Sequence, residues 1–294
     1  MDTVSSKEML ETISNLGGGG FIHRFQSNED IISLYNSLNC NKSTIGISVG
    51  INNCLELIDL GYKNGCNLFL IDVAYGHSKI VKDAIKSIKD YNKDIQIIAG
   101  NIATPQSALD LISWGADGLR VGIGGGSACT TRINTGVGIP MITCIKDISL
   151  VANTKIPIIC DGGIRTSGDV SKAIGAGAST VMLGGLLAGT TEAAGEIIRE
   201  GNFGNEVLYK RFRGMASYDT KINNNQEVRN VEGVSMLVLY KGDVTKIIND
   251  ISDGLRSAMS YVGAKNINEY HELVEFIQIT GAGLIEAKPH GKYK

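Results

Sequence analysis

The sequence is poor in proline and lacks long apolar segments, and these absences exclude several classes of protein. Only 4 prolines accompany 37 glycines in 294 residues, and the glycines follow no triplet period. Collagen and proline-rich linkers are therefore excluded. No apolar run reaches the ~18 residues that a membrane helix needs. The first residues also lack the basic and apolar order of a signal peptide.

Charge and cysteine usage exclude further classes. The chain has 28 basic and 30 acidic residues, which gives no electrostatic case for binding nucleic acid or an anionic membrane. The 6 cysteines form no Cys-x-x-Cys pair, and the 4 histidines lie far apart in sequence. Neither a zinc ribbon nor a histidine-rich metal centre is therefore indicated. Free thiols are typical of the reducing cytoplasm, where we expect this protein to be located.

Short β-branched runs alternate with helical patterns along the sequence, which is typical of an α/β fold. The runs are apolar nearly throughout, as expected for a parallel sheet that is covered on both faces. The predicted strands are Gly20–His23, Thr44–Val49, Leu68–Val73, Ile95–Asn101, Gly118–Ile123, Ile156–Asp161 and Thr180–Gly184.

Helical patterns lie between these strands and before the first of them. One helix is predicted over residues 4–16, one is capped by Ser78, one opens at Pro105 and one is capped by Ser167. This order predicts a parallel (β/α)8 TIM-type barrel whose first strand is missing or reduced to a stub at Met1–Val4. An open doubly wound sheet is the alternative, although no G-x-G-x-x-G motif opens the chain.

The last third of the sequence has a different character. Residues 201–243 are polar and show no strand–helix alternation, which is typical of a lid or a disordered segment. We expect residues 218–231 to be mobile and Val244–Val262 to form a final helix. The prediction is one catalytic barrel domain over residues 1–294, with a flap and a C-terminal extension at about 201–294.

Polar residues and glycines follow the predicted strands, at the rim where a barrel has its active site. Cys129 lies in a loop of glycine and hydroxyl residues, where a thiol is either a nucleophile or an inert small side chain. Asp161 ends an apolar strand, so its carboxylate must bind a ribose diol or form a salt bridge, for example to Arg165. Nearby glycine pairs either bind phosphate or allow tight turns. Lys210 and Arg213 are expected on the solvated face.

Five motifs lie in order along the chain. They are VGIGGGSACTTR at residues 121–132, DGGIRTSGD at 161–169, MLGGLLAG at 182–189, RGMAS at 213–217 and YKG at 240–242. Together they resemble motifs of the IMP dehydrogenase and GMP reductase family, over essentially the whole chain. The resemblance implies a TIM-type barrel that assembles as a homotetramer and binds a purine nucleoside monophosphate. It leaves no room for the family's paired CBS modules.

The resemblance also implies roles for individual residues. Cys129 would be the nucleophile that attacks purine C2, assisted by Thr131 and Glu232. Substrate contacts are implied for Ser127, Asp161, Gly163, Gly184, Gly185, Gly214 and Met215. Asp72 and Asn101 would face the nicotinamide nucleotide. A potassium ion would bind backbone carbonyls of Gly124, Gly126 and Cys129.

Two chemistries share this scaffold in the family, and the sequence carries features of both. Only 14 residues separate Ser217 from Glu232, without the Arg-Tyr pair of the dehydrogenase flap, and Phe212 stands where dehydrogenases commonly carry tyrosine. The tail over residues 281–290 resembles bacterial dehydrogenases instead. We expect a GMP reductase that uses NADPH to convert GMP to IMP and ammonia through a covalent cysteine intermediate. IMP dehydrogenase, with NAD, and an inactive truncated relative that binds nucleotide or a partner subunit are the alternatives.

Overall fold

A curled, seven-stranded parallel sheet forms the core of the structure, a computed structural model that describes residues 1–52, 54–152, 156–202, 204–223, 228, 230–289 and 291. The strands are β1 (Gly20–Ile22), β2 (Ile45–Val49), β3 (Leu68–Asp72), β4 (Gln96–Ile102), β5 (Gly118–Val121), β6 (Ile158–Asp161) and β7 (Thr180–Met182). Each strand pairs in parallel with the next one along the chain. The seven predicted strands are confirmed, with ends that differ by at most two residues.

Helices cover the outside of the sheet and begin where the sequence supplies a cap. They are α1 (Lys7–Asn15), α2 (Asn28–Ser37), α3 (Cys54–Lys63), α4 (Lys79–Tyr91), α5 (Pro105–Trp114), α6 (Thr131–Thr135), α7 (Met141–Ala152) and α8 (Ser167–Gly175). The hydroxyl of Ser78 caps α4, and Thr104 with Pro105 opens α5. The cap of α8 is Thr166 rather than the predicted Ser167, because the Thr166 hydroxyl accepts the free N–H of Asp169.

The barrel is not closed by the residues that the structure describes. β1 and β7 are the two edges of the sheet, and Met1–Val4 forms a turn rather than the predicted stub of a strand. In this turn the Val4 and Ser5 N–H groups donate to the Met1 carbonyl, at 3.1 and 2.8 Å. The doubly wound alternative is excluded, because that fold reverses its strand order at a switch point and this sheet keeps the order of the chain.

The polar segment after β7 contains more regular structure than the sequence predicts. Strands β8 (Ile198–Glu200), β9 (Val207–Arg213) and β10 (Ser235–Leu239) form a separate antiparallel sheet, in the order β10-β9-β8. The prediction of a segment without strands over residues 201–243 is therefore wrong. β9 buries Lys210 and Phe212 on one face, but its sequence mixes charged and apolar residues without a regular alternation, so no clear strand signal was present.

The rest of the last third contains four helices in its described part. They are α9 (Tyr218–Asn223), α10 (Val244–Val262), α11 (Ile267–Leu273) and α12 (Gly281–Glu286). The predicted final helix is thus confirmed as α10. Of the predicted mobile segment, residues 224–227 and 229 lie outside the described residues. In the part of the chain that is described, no helix is long and apolar enough to cross a membrane.

Candidate active site

One cavity of about 370 Å³ lies at the carboxyl ends of the sheet strands. Every residue that the sequence singled out as a site residue lines it, although the residues come from seven separate stretches of the chain. They are Asp72, Asn101, Gly124, Gly126, Ser127, Cys129, Thr131, Asp161, Gly163, Gly184, Gly185, Gly214, Met215 and Glu232. The parallel sheet brings them together because all of its strands point their carboxyl ends towards the same rim.

Three of these side chains form a hydrogen-bonded relay. The Cys129 thiol donates to the Thr131 hydroxyl, with 3.2 Å between Sγ and Oγ1. The Thr131 hydroxyl donates in turn to the Glu232 carboxylate, with 2.7 Å between Oγ1 and Oε2. A thiol that gives up its proton along such a path becomes a nucleophile, and the carboxylate is the final acceptor.

Backbone pairing holds the cysteine loop against the segment that carries Glu232. The Thr130 N–H donates to the Glu232 carbonyl, and the Val234 N–H donates to the Ala128 carbonyl, both at 3.0 Å. The two segments approach so closely that a Cβ at Gly214 would lie 2.8 Å from the Ala128 carbonyl oxygen. Glycine is therefore required there, and the relay is built on a rigid backbone rather than on free loops.

The other five cysteines have no comparable surroundings. All six cysteines are free thiols, and burial raises the pKa of Cys144 and of Cys160 to about 12 and that of Cys66 to about 11. A buried thiol of this kind is almost fully protonated near neutral pH and is a poor nucleophile. Cys129, half-buried at the cavity, is the cysteine whose geometry fits covalent chemistry.

Asp161 and Asp72 face each other across an arginine that the sequence analysis missed. The Arg120 Nε donates to the Asp161 Oδ2 at 3.0 Å, and its Nη1 donates to Asp72. Asn101 donates to the same Asp161 oxygen at 2.8 Å. Asp161 is thus paired with Arg120 and not with Arg165, which the sequence suggested as its salt-bridge partner. A single charged residue within an apolar strand was the signal that could have found Arg120.

In this cluster, attraction between opposite charges affects the pKa values more than burial does. Burial alone would raise the pKa of Asp72, but the positive charges of Arg120 and Arg24 lower it below its ordinary value. Burial likewise opposes the charge of Arg120, but Asp161 and Asp72 raise the pKa of its guanidinium. Both groups are therefore ionised near neutral pH, and Asp161 keeps one carboxylate oxygen free of these bonds. That oxygen can accept hydrogen bonds from a ligand diol.

Two glycine loops meet at Ser127, on the other side of the cavity. A Cβ at Gly185 would lie 2.3 Å from the Ser127 Oγ, and one at Gly162 would lie 2.9 Å from the Gly125 carbonyl carbon. Gly162 and Gly163 also have φ values of 100° and 79°. The glycines therefore permit tight turns and close approach of the protein's own loops, and phosphate binding by these loops stays a prediction.

Two of the basic residues assigned to solvent bind protein groups instead, Lys210 in a buried position and Arg213 in a half-buried one. Lys210 is 4% exposed and donates to the carbonyls of Thr191 and Ala193. Arg213 pairs with Asp2, with 2.9 Å between Nε and Oδ2. Both predictions were wrong because a polar sequence context does not reveal which cations satisfy buried acceptors.

One hydrogen-bond donor at the cavity is left without a partner in the part of the chain that is described. The Arg24 Nε is buried, makes no hydrogen bond there and lies 3.9 Å from the Asp72 Oδ2. Such an unpaired donor favours a ligand with phosphate, hydroxyl or carboxamide acceptors. The potassium site stays a prediction, because the Gly126 carbonyl accepts the Cys129 N–H at 3.1 Å but keeps a second lone pair for a cation. The described residues hold no cluster of three His, Cys, Asp or Glu side chains suited to a metal ion.

Comparison with curated proteins identifies relatives along the whole chain. Inosine-5'-monophosphate dehydrogenase of Nitrosopumilus maritimus is 37% identical over 303 residues, covering 97% of this chain and 63% of that protein. The enzymes of the same name from Aquifex aeolicus and Methanocaldococcus jannaschii are 42% and 43% identical over 257 and 240 residues. Those alignments cover 84% and 75% of this chain, and 52% and 48% of the relatives. This chain therefore spans about half to two thirds of the length of these relatives.

These relatives overturn one expectation from the sequence. The expected GMP reductase activity is contradicted, because the relatives are named as IMP dehydrogenases, and NADPH loses its support with it. The model of the IMP dehydrogenase / GMP reductase domain matches residues 1–290. The five motifs, the parallel sheet and the cysteine relay agree with that match, and the chain belongs to the IMP dehydrogenase / GMP reductase family.

Proposed function

We propose that this chain catalyses the IMP dehydrogenase reaction, in which IMP, NAD and water give XMP and NADH. The observation that carries the proposal is the relay from Cys129 through Thr131 to Glu232 at the rim of the cavity. The similarity to enzymes named inosine-5'-monophosphate dehydrogenase supports this reaction over the reductive one. IMP is the proposed substrate, held by the ribose-facing Asp161 and by the glycine loops around Ser127.

The first half of the reaction forms a covalent bond to the enzyme. Cys129 loses its proton through Thr131 to Glu232, and the thiolate adds to C2 of the purine. Bound NAD supplies an acceptor for the hydride that then leaves C2. The product of this half is a thioimidate, in which C2 is joined to the Cys129 Sγ. The proton on Glu232 passes to solvent before the second half begins.

The second half is hydrolysis, and the same relay serves it. Water adds to C2, its proton moves through Thr131 to Glu232, and the bond from C2 to Sγ breaks to release XMP and the thiolate. The sequence between Ser217 and Glu232 contains no Arg-Tyr pair to activate water. The Thr131–Glu232 pair is the base that supports this step, because the Thr131 hydroxyl lies within hydrogen-bond distance of both Sγ and the carboxylate.

The wider architecture belongs to the same proposal. The seven strands would be part of an eight-stranded TIM-type barrel, with the missing strand between β7 and β1. Val4 packs with Leu187, Ala188 and Phe212, which places the first residues beside the loop after β7. Exposed apolar side chains in the tail, at Ile277, Ile279, Leu284 and Ile285, support assembly into a homotetramer. The chain would act as one catalytic domain over residues 1–294, in the cytoplasm.

An absorbance assay of NADH formation tests the proposal. IMP with NAD is the test reaction, GMP with NADPH is the control, and XMP is identified by chromatography. We expect XMP from IMP and no ammonia from GMP. Absence of product in both reactions, from a folded protein that still binds IMP, would favour the inactive nucleotide-binding relative instead.

A further inference from the structure

The motif Tyr240-Lys241-Gly242 lies outside the cavity but is bonded to one of its walls. The Lys241 N–H donates to the Gly189 carbonyl, and the Thr191 N–H donates to the Gly242 carbonyl, both at 2.8 Å. The Lys241 ammonium donates to the carbonyls of Gly185 and Leu186, each at 2.9 Å from Nζ. This motif therefore clamps the loop that follows β7, and none of the roles assigned above accounts for it.

The loop has two sides with different neighbours. Gly185 faces the cavity, because a Cβ added to it would lie 2.3 Å from the Ser127 Oγ. The Lys241 ammonium binds the carbonyls of Gly185 and Leu186 from outside the cavity. In a trans peptide the C=O and the following N–H point in opposite directions. Fixing the Gly185 carbonyl on Lys241 therefore turns the Leu186 N–H away from the lysine.

A second pair of bonds orients the preceding peptide in the same way. The Gly184 carbonyl accepts the N–H groups of Leu187 and Ala188, at 3.0 and 2.9 Å. The Gly185 N–H, on the opposite side of that peptide, is thereby directed away from these donors. The N–H groups of Gly185 and Leu186 find no hydrogen-bond partner among the residues that the structure describes. Two adjacent unpaired N–H groups favour an anion.

We propose that Lys241 is a positioning residue for the substrate's 5'-phosphate, which it serves by fixing the carbonyls of Gly185 and Leu186 so that the N–H groups of this loop face the anion. The inference rests on the proposed function, because it assumes that a nucleoside monophosphate occupies the cavity. Without the ammonium, the two carbonyls lose their charged partner and the peptides can rotate, which would turn negative carbonyl ends towards the phosphate.

Calorimetric titration with IMP and with inosine tests the inference, because the two ligands differ only in the phosphate. Lys241→Met removes the charge and the donors, and Lys241→Gln keeps N–H donors without the charge. Lys241→Arg keeps both and serves as the rescue variant. Lys63→Met is the matched control for loss of one positive charge, since Lys63 pairs with Asp59 on an exposed helix surface.

We expect Lys241→Met to weaken IMP binding about tenfold or more, the scale of a lost hydrogen bond to a charged group. Inosine binding should stay within about twofold of the wild type, since its contacts do not include this loop. Lys241→Gln should show an intermediate loss specific to IMP, so the test stands even if Lys241→Met does not fold. Lys241→Arg and Lys63→Met should bind both ligands like the wild type.

The outcomes separate this inference from the proposed function. Equal losses of IMP and inosine affinity in the Lys241 variants would show a merely structural clamp and overturn the inference. Unchanged IMP affinity in both Lys241→Met and Lys241→Gln would also overturn it, with the proposed function intact. If the wild type itself bound inosine as tightly as IMP, the phosphate site would be wrong, and the proposed function would fail with it.

Discussion

Replacing Arg120 by methionine tests the charge cluster beneath the cavity. Methionine keeps much of the volume of the side chain but leaves Asp72 and Asp161 without their shared guanidinium. The side chains of Arg120, Asp72 and Asp161 are only 15%, 24% and 23% exposed. They therefore resemble a buried ion pair, for which loss of one partner costs about 3–5 kcal/mol, rather than a surface pair.

The remaining contacts place the expected loss at the lower end of that range, about 3 kcal/mol. The Arg24 Nε stays 3.9 Å from the Asp72 Oδ2, and Asn101 still donates to Asp161. In the wild type the pKa of Asp72 is lowered in the folded state, so its stabilising contribution is present above the unfolded value and is lost as the pH falls through the folded pKa. Without Arg120 burial dominates, and we expect the folded pKa of Asp72 to rise above the unfolded value. In the variant, the contribution of Asp72 to stability is therefore present at low pH, below its unfolded pKa, and is lost as the pH rises through its folded pKa.

Urea unfolding at about pH 7 and about pH 5 checks both the magnitude and the sign. Stability of Arg120→Met should increase between about pH 7 and about pH 5 relative to the wild type, and Asp72→Asn in the same background should restore part of the loss. Lys63→Met serves as the exposed control. A loss below about 1 kcal/mol at pH 7, or no relative gain on acidification, would refute the buried-cluster reasoning.

Three further variants test the site. Cys129→Ala should abolish NADH formation but preserve IMP binding in calorimetry, because the proposed phosphate and ribose contacts involve other residues; loss of binding would contradict this. Glu232→Gln keeps a hydrogen bond to Thr131 but cannot accept a proton, so XMP release should slow about a hundredfold or more. Because Glu232 also accepts the Cys129 proton, rapid quenching should then find no accumulated covalent intermediate, and an unchanged rate would exclude Glu232 as the base. Asp161→Ala should weaken IMP binding by about 1–3 kcal/mol, since it removes hydrogen bonds to a charged group. Equal affinity in that variant and the wild type would remove Asp161 from the ribose site.

Most of the parallel sheet could be predicted because its signal is local. Runs such as Leu68-Phe69-Leu70-Ile71 in β3 are apolar at every position, as expected for a strand that is buried on both faces. The antiparallel sheet was missed because β9 (Val207–Arg213) mixes charged and apolar residues. Its Lys210 looks solvated in sequence, yet it is buried because it satisfies the Thr191 and Ala193 carbonyls, which lie 19 and 17 residues away. Such long-range pairing leaves no trace in the local pattern.

The candidate site could be predicted as a set of residues but not as a network. Cys129 and Asp161 stand out because each breaks the pattern of its surroundings. Arg120 also breaks the pattern of its apolar strand, but its role depends on two carboxylates at the ends of other strands, 48 and 41 residues away in sequence. Lys241 was noticed only as part of a motif, because its contact with the loop after β7 exists only once the fold brings the two together.

The choice between the two reactions lies outside the chemistry of the proposed relay, because both would begin with addition of the Cys129 thiolate to C2. Glu232 can supply a proton to a leaving group or accept one from water through the same Thr131 hydroxyl, so the geometry is compatible with either direction. The 14-residue loop before Glu232 lacks the Arg-Tyr pair of the dehydrogenase flap but leaves the relay in place. Loops also vary in length more readily than the elements they connect. Loop length was therefore a weak discriminator, whereas the similarity to the relatives extends through the whole sheet. It follows that a dehydrogenase with this loop hydrolyses its intermediate with the carboxylate that also takes the thiol's proton. Glu232 must then release one proton before it accepts the next, which ties the two halves of the reaction to a single group.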